Sequence, residues 1–168
     1  MSEQHTESDT DQDTSEHAFP TAPAPSEAVR ALGRLVGTWR VTGGAEGEVN
    51  YAWMEGGYFL IQRVRLEQYG QTIEGIEIIG NLRPFGEEPG AEVVSRFYDS
   101  TGNTLDYVYE IVEDTLTIWA GEKGSPARYV ATFDGSGDIV TGEWEYPGGG
   151  GYQSTMTRAS ARPAQASR

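Results

Sequence analysis

A long series of strand-like segments, separated by turn residues, is the feature that most limits the fold of this chain. Between Val36 and Arg158, ten segments rich in β-branched and aromatic residues alternate with turn signals such as Gly43-Gly44 and Tyr69-Gly70. They cover residues 36–42, 48–54, 58–67, 72–82, 91–98, 105–112, 116–120, 127–133, 139–146 and 152–158. Short links indicate a meander, and so many strands curl rather than stay open. We therefore predict an all-β fold, a closed antiparallel meander β-barrel of about ten strands, with a two-sheet sandwich as the alternative.

A short helix is predicted immediately before the first strand. Ser26 can cap it, Glu27 lies in its first turn, and Val29 and Leu32 form an apolar stripe. We expect this helix to lie across one end of the barrel. Residues 1–25 are acidic and end in prolines, while residues 159–168 are rich in alanine and serine, so both have too little apolar surface to offset the entropy of ordering. The predicted organisation is a disordered tail at 1–25, one barrel domain at 26–158 and a disordered tail at 159–168.

The charge and composition of the chain limit the classes of molecule that the protein is expected to bind. The formal net charge is -14, which would repel the phosphate backbone of a nucleic acid. No stretch approaches the roughly 20 apolar residues that span a membrane, and the start lacks the basic and apolar regions of a secretory signal. We therefore expect no nucleic-acid partner, no membrane partner and, by default, a cytoplasmic location.

The residues that usually hold metals or act as nucleophiles are scarce. There is no cysteine, which excludes disulfides and thiolate ligands, and the two histidines, His5 and His17, both lie in the predicted N-terminal tail. The barrel therefore has no histidine for a zinc site or a Ser-His-Asp triad. We expect no metal and no cofactor.

Three segments in order suggest a family. Gly37-Thr38-Trp39 opens the first strand, Gly56 to Leu60 and Glu74 to Gly80 follow, and Arg158 ends the last strand. The chain thereby resembles the calycin superfamily of lipocalins, fatty-acid-binding proteins and nitrobindins, and is most similar to an uncharacterised bacterial lipocalin-like domain family. The resemblance implies a barrel in which Trp39 packs against Arg158, and it implies no established reaction. Nitrobindins hold haem through a histidine of the barrel wall, which this barrel lacks, so the resemblance does not extend to haem. The sequence immediately around Trp39 leaves two interpretations open. Trp39 either closes one end of the barrel or is an ordinary core residue.

Strand parity predicts which side chains face the interior, because successive residues of a strand point to opposite faces. The acids of the segment 105–111 share one parity, which turns Tyr107 and Tyr109 inward. If Glu77 faces outward, Glu74 faces inward and becomes the candidate buried acid. Arg96 is ambiguous, because either parity of its segment buries a polar group. The predicted ligand-binding residues are Gln62, Glu74, Tyr107, Tyr109, Trp144, Tyr152 and Ser154.

Aromatic walls with a few orienting polar groups are typical of small-molecule cavities. The function predicted from the sequence is binding of a small, moderately hydrophobic or amphipathic molecule inside the barrel. The alternative is a barrel enzyme of the isomerase, cyclase or dehydratase type that uses Glu74 as acid or base. Two plainer alternatives also stay open, a core filled by the aromatic rings and a Glu74 that is an ordinary surface carboxylate.

Overall fold

The ten strands form one closed antiparallel barrel, in which each strand pairs with the next and the last pairs with the first. The structure is a computed structural model and describes residues 21–161. The elements are α1 (Glu27–Ala31), a 3₁₀ helix (Leu32–Leu35), β1 (Gly37–Gly43), β2 (Glu46–Trp53), β3 (Phe59–Gln68), β4 (Gln71–Asn81), β5 (Val93–Asp99), β6 (Thr104–Val112), β7 (Thr115–Ala120), β8 (Arg128–Phe133), β9 (Ile139–Glu145) and β10 (Tyr152–Ser160). The predicted meander barrel is confirmed, and the sandwich is excluded.

The two ends of the barrel differ. At the end where β1 begins, which we call the closed end, α1 and the 3₁₀ helix bury Val29, Leu32 and Leu35 in the core. The predicted cap is present, because the Ser26 hydroxyl accepts a hydrogen bond of 3.1 Å from the Val29 amide. Arg34 fastens this segment to the β6–β7 turn by donating to the carboxylate of Asp114 at 2.9 Å. At the opposite end, which we call the open end, the part of the chain between residues 21 and 161 contributes only turns between strands.

Trp39 and Arg158 join the first and last strands at the closed end. Trp39 is fully buried, and its indole N–H donates to the carbonyl of Leu35 at 2.7 Å. The guanidinium carbon of Arg158 lies 4.1 Å from the centroid of a Trp39 ring, which is a cation–π contact. The same guanidinium pairs with Asp138 at 2.8 Å. It also donates to three backbone carbonyls, those of Arg34, Val36 and Gly137. The contact between Trp39 and Arg158 that the family resemblance implied is therefore present.

The predicted tails lie largely outside the described residues. Residues 1–20 and 162–168, including His5 and His17, are not described. Within the described chain, the Tyr58 hydroxyl donates to the carbonyl of Pro23 at 2.8 Å, and β10 continues past Arg158 to Ser160. The boundaries 1–25, 26–158 and 159–168 stay predictions. Neither helical segment between residues 21 and 161 has the length and hydropathy of a membrane-spanning helix.

Removal of the Arg158 side chain tests how much the closed end contributes to stability. We expect Arg158→Ala to lower the free energy of unfolding by about 3 kcal/mol, because several charge-assisted hydrogen bonds of a mostly buried group disappear together. Arg96→Ala is the matched control, since Arg96 is another strand arginine paired with an aspartate, Asp106, but on the exposed outer wall. Urea denaturation should show a large loss for Arg158→Ala and almost none for Arg96→Ala. Equal, small losses for both variants would contradict this account of the closed end.

Candidate functional site

The barrel interior is not filled. It contains a cavity of about 270 Å³ that extends from the middle of the barrel to the open end. Leu105 and Tyr146, which line its outer part, are each 41% exposed, so solvent reaches the cavity from that end. Ligand cavities in proteins commonly measure roughly 300 to 1,000 Å³, so this space lies just below the small end of that range and suits only a small molecule. The filled core, left open by the sequence, is excluded.

A buried carboxyl group lies in the wall of this cavity. Glu77 of β4 is only 2% exposed, and the Ser95 hydroxyl donates to its Oε1. The Tyr109 hydroxyl lies 3.0 Å from each carboxyl oxygen. Burial raises the pKa of Glu77 to about 7, and the hydrogen bonds from Ser95 and Tyr109 oppose part of this rise. Glu77 therefore changes its charge near neutral pH.

Two further polar pairs face the interior. The side-chain amide of Gln62 donates to the Tyr51 hydroxyl at 2.8 Å, and both residues are buried. On the opposite wall, the hydroxyls of Tyr129 and Ser154 are 3.2 Å apart. The cavity thus has hydrogen-bonding groups on two sides, held by neighbouring strands rather than by loops.

Aromatic rings form most of the wall near the open end. The ring centroid of Trp144 lies 5.9 Å from that of Tyr107, 5.4 Å from that of Tyr129 and 5.9 Å from that of Tyr146, which is stacked on it. Gly142 makes room for this arrangement, because a Cβ atom there would come within 2.6 Å of the Tyr129 ring. Tyr152 completes the wall on β10.

The predicted inward orientation of Glu74 is wrong. Its side chain is 54% exposed and forms an ion pair with Arg65 on the outer wall. Glu77 is the buried acid instead, because β4 has the opposite parity to the one assumed. With Glu74 removed, the other predicted ligand-binding residues do meet around one cavity, namely Gln62, Tyr107, Tyr109, Trp144, Tyr152 and Ser154.

The β3–β4 hairpin explains the error and contains the signal that could have prevented it. Tyr69 and Gly70 have φ values of 51° and 75°, and two positive φ angles in a two-residue link indicate a type I′ turn. Such a turn pairs Gln68 with Gln71. Following the two strands away from the turn, Glu74 then pairs with Arg65. Three residues further along β4, Glu77 pairs with Gln62. Directly paired residues share a face, so the outward arginine requires an outward Glu74.

Other interior groups were missed for related reasons. Tyr51 and Tyr129 lie in strands whose parity the sequence analysis did not assign, yet each occupies the apolar face of its strand. The ambiguity at Arg96 is resolved by its outward pairing with Asp106 at 2.7 Å, which turns Ser95 inward to Glu77. Here too, an arginine paired with an acid on the neighbouring strand indicated which face of the strand points outward.

A second concave area lies on the outer wall and differs in character. It measures about 530 Å³ and is bordered by charged side chains of β1, β2 and β3, among them Arg40, Glu48 and Glu67. It has no aromatic wall, so it resembles ordinary solvated surface rather than a ligand cavity. Among residues 21–161, no group of His, Cys, Asp or Glu side chains is arranged to hold a metal ion.

The comparisons with known proteins do not identify the chain. No model of a known protein family matches it, and no curated protein sequence matches it.

The buried Glu77 predicts an unusual dependence of stability on pH. Because its folded-state pKa of about 7 exceeds the ordinary value of 4.5, the folded protein binds an extra proton between these pH values. The stabilisation from this proton is fully present below the unfolded value and is lost as pH rises through about 7. Since a tenfold change in proton affinity is worth about 1.4 kcal/mol, the loss amounts to about 3 kcal/mol.

Glu77→Gln isolates this contribution, because the amide keeps an acceptor oxygen and does not titrate. We expect the free energy of unfolding of the native protein, relative to this variant, to fall by about 3 kcal/mol between about pH 4.5 and about pH 8. Glu74→Gln, on the outer face of the same strand, is the matched control and should follow the native curve. A constant difference between the native protein and Glu77→Gln across this pH range would show that Glu77 titrates normally.

Proposed function

We propose that this protein binds a small, moderately hydrophobic molecule in the barrel cavity. The observation that carries the proposal is a solvent-accessible cavity with a mainly apolar wall, which includes a cluster of aromatic rings, and with a buried carboxyl at its side. The apolar wall supplies affinity, and Glu77, Gln62 and Tyr51 supply orientation through hydrogen bonds.

The energetic cost of the cavity supports the same proposal. Protein interiors are normally close-packed, and an unfilled space forgoes the dispersion contacts that its lining atoms would make. A buried carboxyl also costs free energy when it ionises. A barrel that retains both features at one place gives up stability there, which is typical of binding sites.

The family assignment belongs to this proposal. The closed ten-strand antiparallel barrel is compatible with a calycin-like fold. The contact between Trp39 and Arg158 supports membership of the calycin superfamily, in which binding inside the barrel is a common activity.

Acid–base catalysis on the bound molecule is the second candidate, and one observation favours it. A group whose pKa is near 7 can both give and take a proton at neutral pH, and Glu77 has this property while Tyr109 donates to it. The acid or base would then be Glu77, whereas Glu74 is excluded by its exposure on the outer wall.

A fluorescent probe tests binding directly. N-phenyl-1-naphthylamine, an uncharged apolar dye at neutral pH, should bind at one equivalent with a dissociation constant on the order of 10 μM. Ser154→Trp should abolish binding while the protein stays folded by circular dichroism, because the indole ring enters the cavity. Gln153→Trp is the matched control, since the neighbouring side chain is exposed on the outer face of the same strand, and should bind like the native protein.

The proposal fails if the native protein shows no saturable binding, or if folded Ser154→Trp binds as well as the native protein. Because the larger ring could prevent folding, Leu66→Trp serves as a second blocking variant from another strand that lines the cavity. Loss of binding in either folded variant supports the assignment.

A further inference from the structure

The charges that line the cavity are all of one sign. Among residues 21–161, its only carboxylic acids are Glu77 and Asp99, and no lysine, arginine or histidine lines it. The basic side chains of the neighbouring strands lie elsewhere, Arg65 and Arg96 on the outer wall and Arg158 beside Trp39 at the closed end. An anionic ligand such as a carboxylate would therefore meet an acid and no positive partner.

Within the described residues 21–161, Glu77 receives hydrogen bonds only from neutral donors. Ser95 and Tyr109 donate to its oxygens, and Gln62, its direct neighbour on β3, is also uncharged. A carboxylate has about four acceptor sites, so these donors leave capacity for a further partner. A buried carboxylate without a protein cation is costly, and a positive group on the ligand would offset that cost.

The aromatic wall favours the same kind of ligand. Trp144 packs with Tyr107, Tyr129 and Tyr146 near the open end, and the faces of such rings carry negative partial charge. Clustered aromatic rings bind ammonium groups through cation–π attraction, most strongly where water is excluded. In the described chain, the Tyr51 hydroxyl accepts a hydrogen bond from the side-chain amide of Gln62. The hydroxyl can in addition donate a hydrogen bond to a polar atom of the ligand.

The entrance is also acidic. Asp99 lies at the end of β5, and hydrogen bonds, chiefly from the Thr101 side chain and then from Asn103, lower its pKa to about 2. It stays ionised at any physiological pH, and the whole chain carries a formal charge of -14. Such a field raises the local concentration of cations and slows the approach of anions.

We propose that the cavity selects an organic cation, a small ammonium compound with an apolar or aromatic body, whose charged head is held between the Glu77 carboxylate and the aromatic rings around Trp144. This proposal rests on the proposed binding function and specifies its ligand class. Neutral molecules of the same shape bind through the apolar wall alone, and anions are excluded.

Protonation links cation binding to pH. Glu77 must be ionised to pair with the ligand, so cation affinity rises as pH increases through the pKa of Glu77, whereas the affinity of a neutral analogue stays constant. The titratable groups that face Glu77 are the phenols of Tyr51 on β2 and of Tyr107 and Tyr109 on β6. Burial, together with the negative charge of Glu77, raises the pKa of all three, so they stay neutral across this range. The residues paired with Glu77 on β3 and β5, Gln62 and Phe97, are uncharged, and Asp99 at the end of β5 stays ionised across this range.

Three ligands of matched shape test the proposal. Phenyltrimethylammonium, tert-butylbenzene and benzenesulfonate each carry a phenyl ring and a tetrahedral head, and they differ in the charge of that head. Competition against N-phenyl-1-naphthylamine measures their affinities. At about pH 8, we expect the cation to bind about tenfold more tightly than the neutral compound, and the anion not to compete.

Variants then assign the selectivity to residues. At about pH 8, Glu77→Gln should reduce the preference for the cation by about tenfold and leave the affinity for tert-butylbenzene unchanged. Lowering the pH to about 5 should have the same two effects on the native protein. Glu74→Gln, the outer-face control, should keep the native preference. Trp144→Leu should lower the preference as well, because leucine keeps the apolar surface and removes the aromatic face.

The outcomes separate the two proposals. If the dye and tert-butylbenzene bind but the cation has no advantage, or if Glu77→Gln keeps the native preference, the cation proposal is overturned and binding in the cavity stands. If benzenesulfonate competes as well as the cation, the charge argument is wrong. If the dye shows no saturable binding, the proposed binding function itself fails.

Discussion

The structure depends on the way Arg158 closes the barrel. A meander of strands becomes a barrel only when its first and last members pair, and Arg158 strengthens that seam by stacking on Trp39 and donating to backbone carbonyls from the 3₁₀ helix and the β8–β9 turn. These hydrogen bonds help to satisfy backbone carbonyl groups where the strands begin and end. Because the stabilising contacts concentrate at this end, the opposite end is free to remain open.

This asymmetry explains how the barrel maintains a cavity. Trp39, Leu60 and Ile79 are fully buried toward the closed end, where packing is close. Further along the same strands, polar Gln62 and Glu77 stand among aliphatic side chains such as Val64, and these residues line a cavity rather than fill a core. Glu77 of β4 lies in this part of the barrel, beyond the closely packed closed end, where ionisation of its carboxyl group lowers the stability of the folded state. We propose that such a group, which weakens the fold near neutral pH, has a role toward a ligand. Within residues 21–161 no basic side chain lines the cavity, and this indicates the charge of the proposed ligand.

The fold and half of the site could be predicted from local patterns. Turn signals delimited the strands, and acids of a single parity in β6 and β9 turned Tyr107, Tyr109 and Trp144 inward. In β4 this reasoning was insufficient, because each face of the strand contains one glutamate and two isoleucines. Parity within a strand cannot decide such a case, and only pairing across the hairpin, with Arg65 opposite Glu74, determines the face. The sequence predicted a cavity but left a filled core open, since the space inside depends on how rings from different strands pack, as Tyr129 does against Gly142.

Glu77 is a carboxyl group with an unusual proton affinity that faces an open cavity, and NMR can follow the titration of this one residue. In protein labelled with ¹³C at the glutamate side-chain carboxyl, the resonance that disappears in Glu77→Gln identifies this residue. We expect a titration midpoint at about pH 7 for this resonance. A midpoint near the ordinary value of 4.5 would mean that Glu77 is solvated, and it would contradict both the buried site and the role assigned to it.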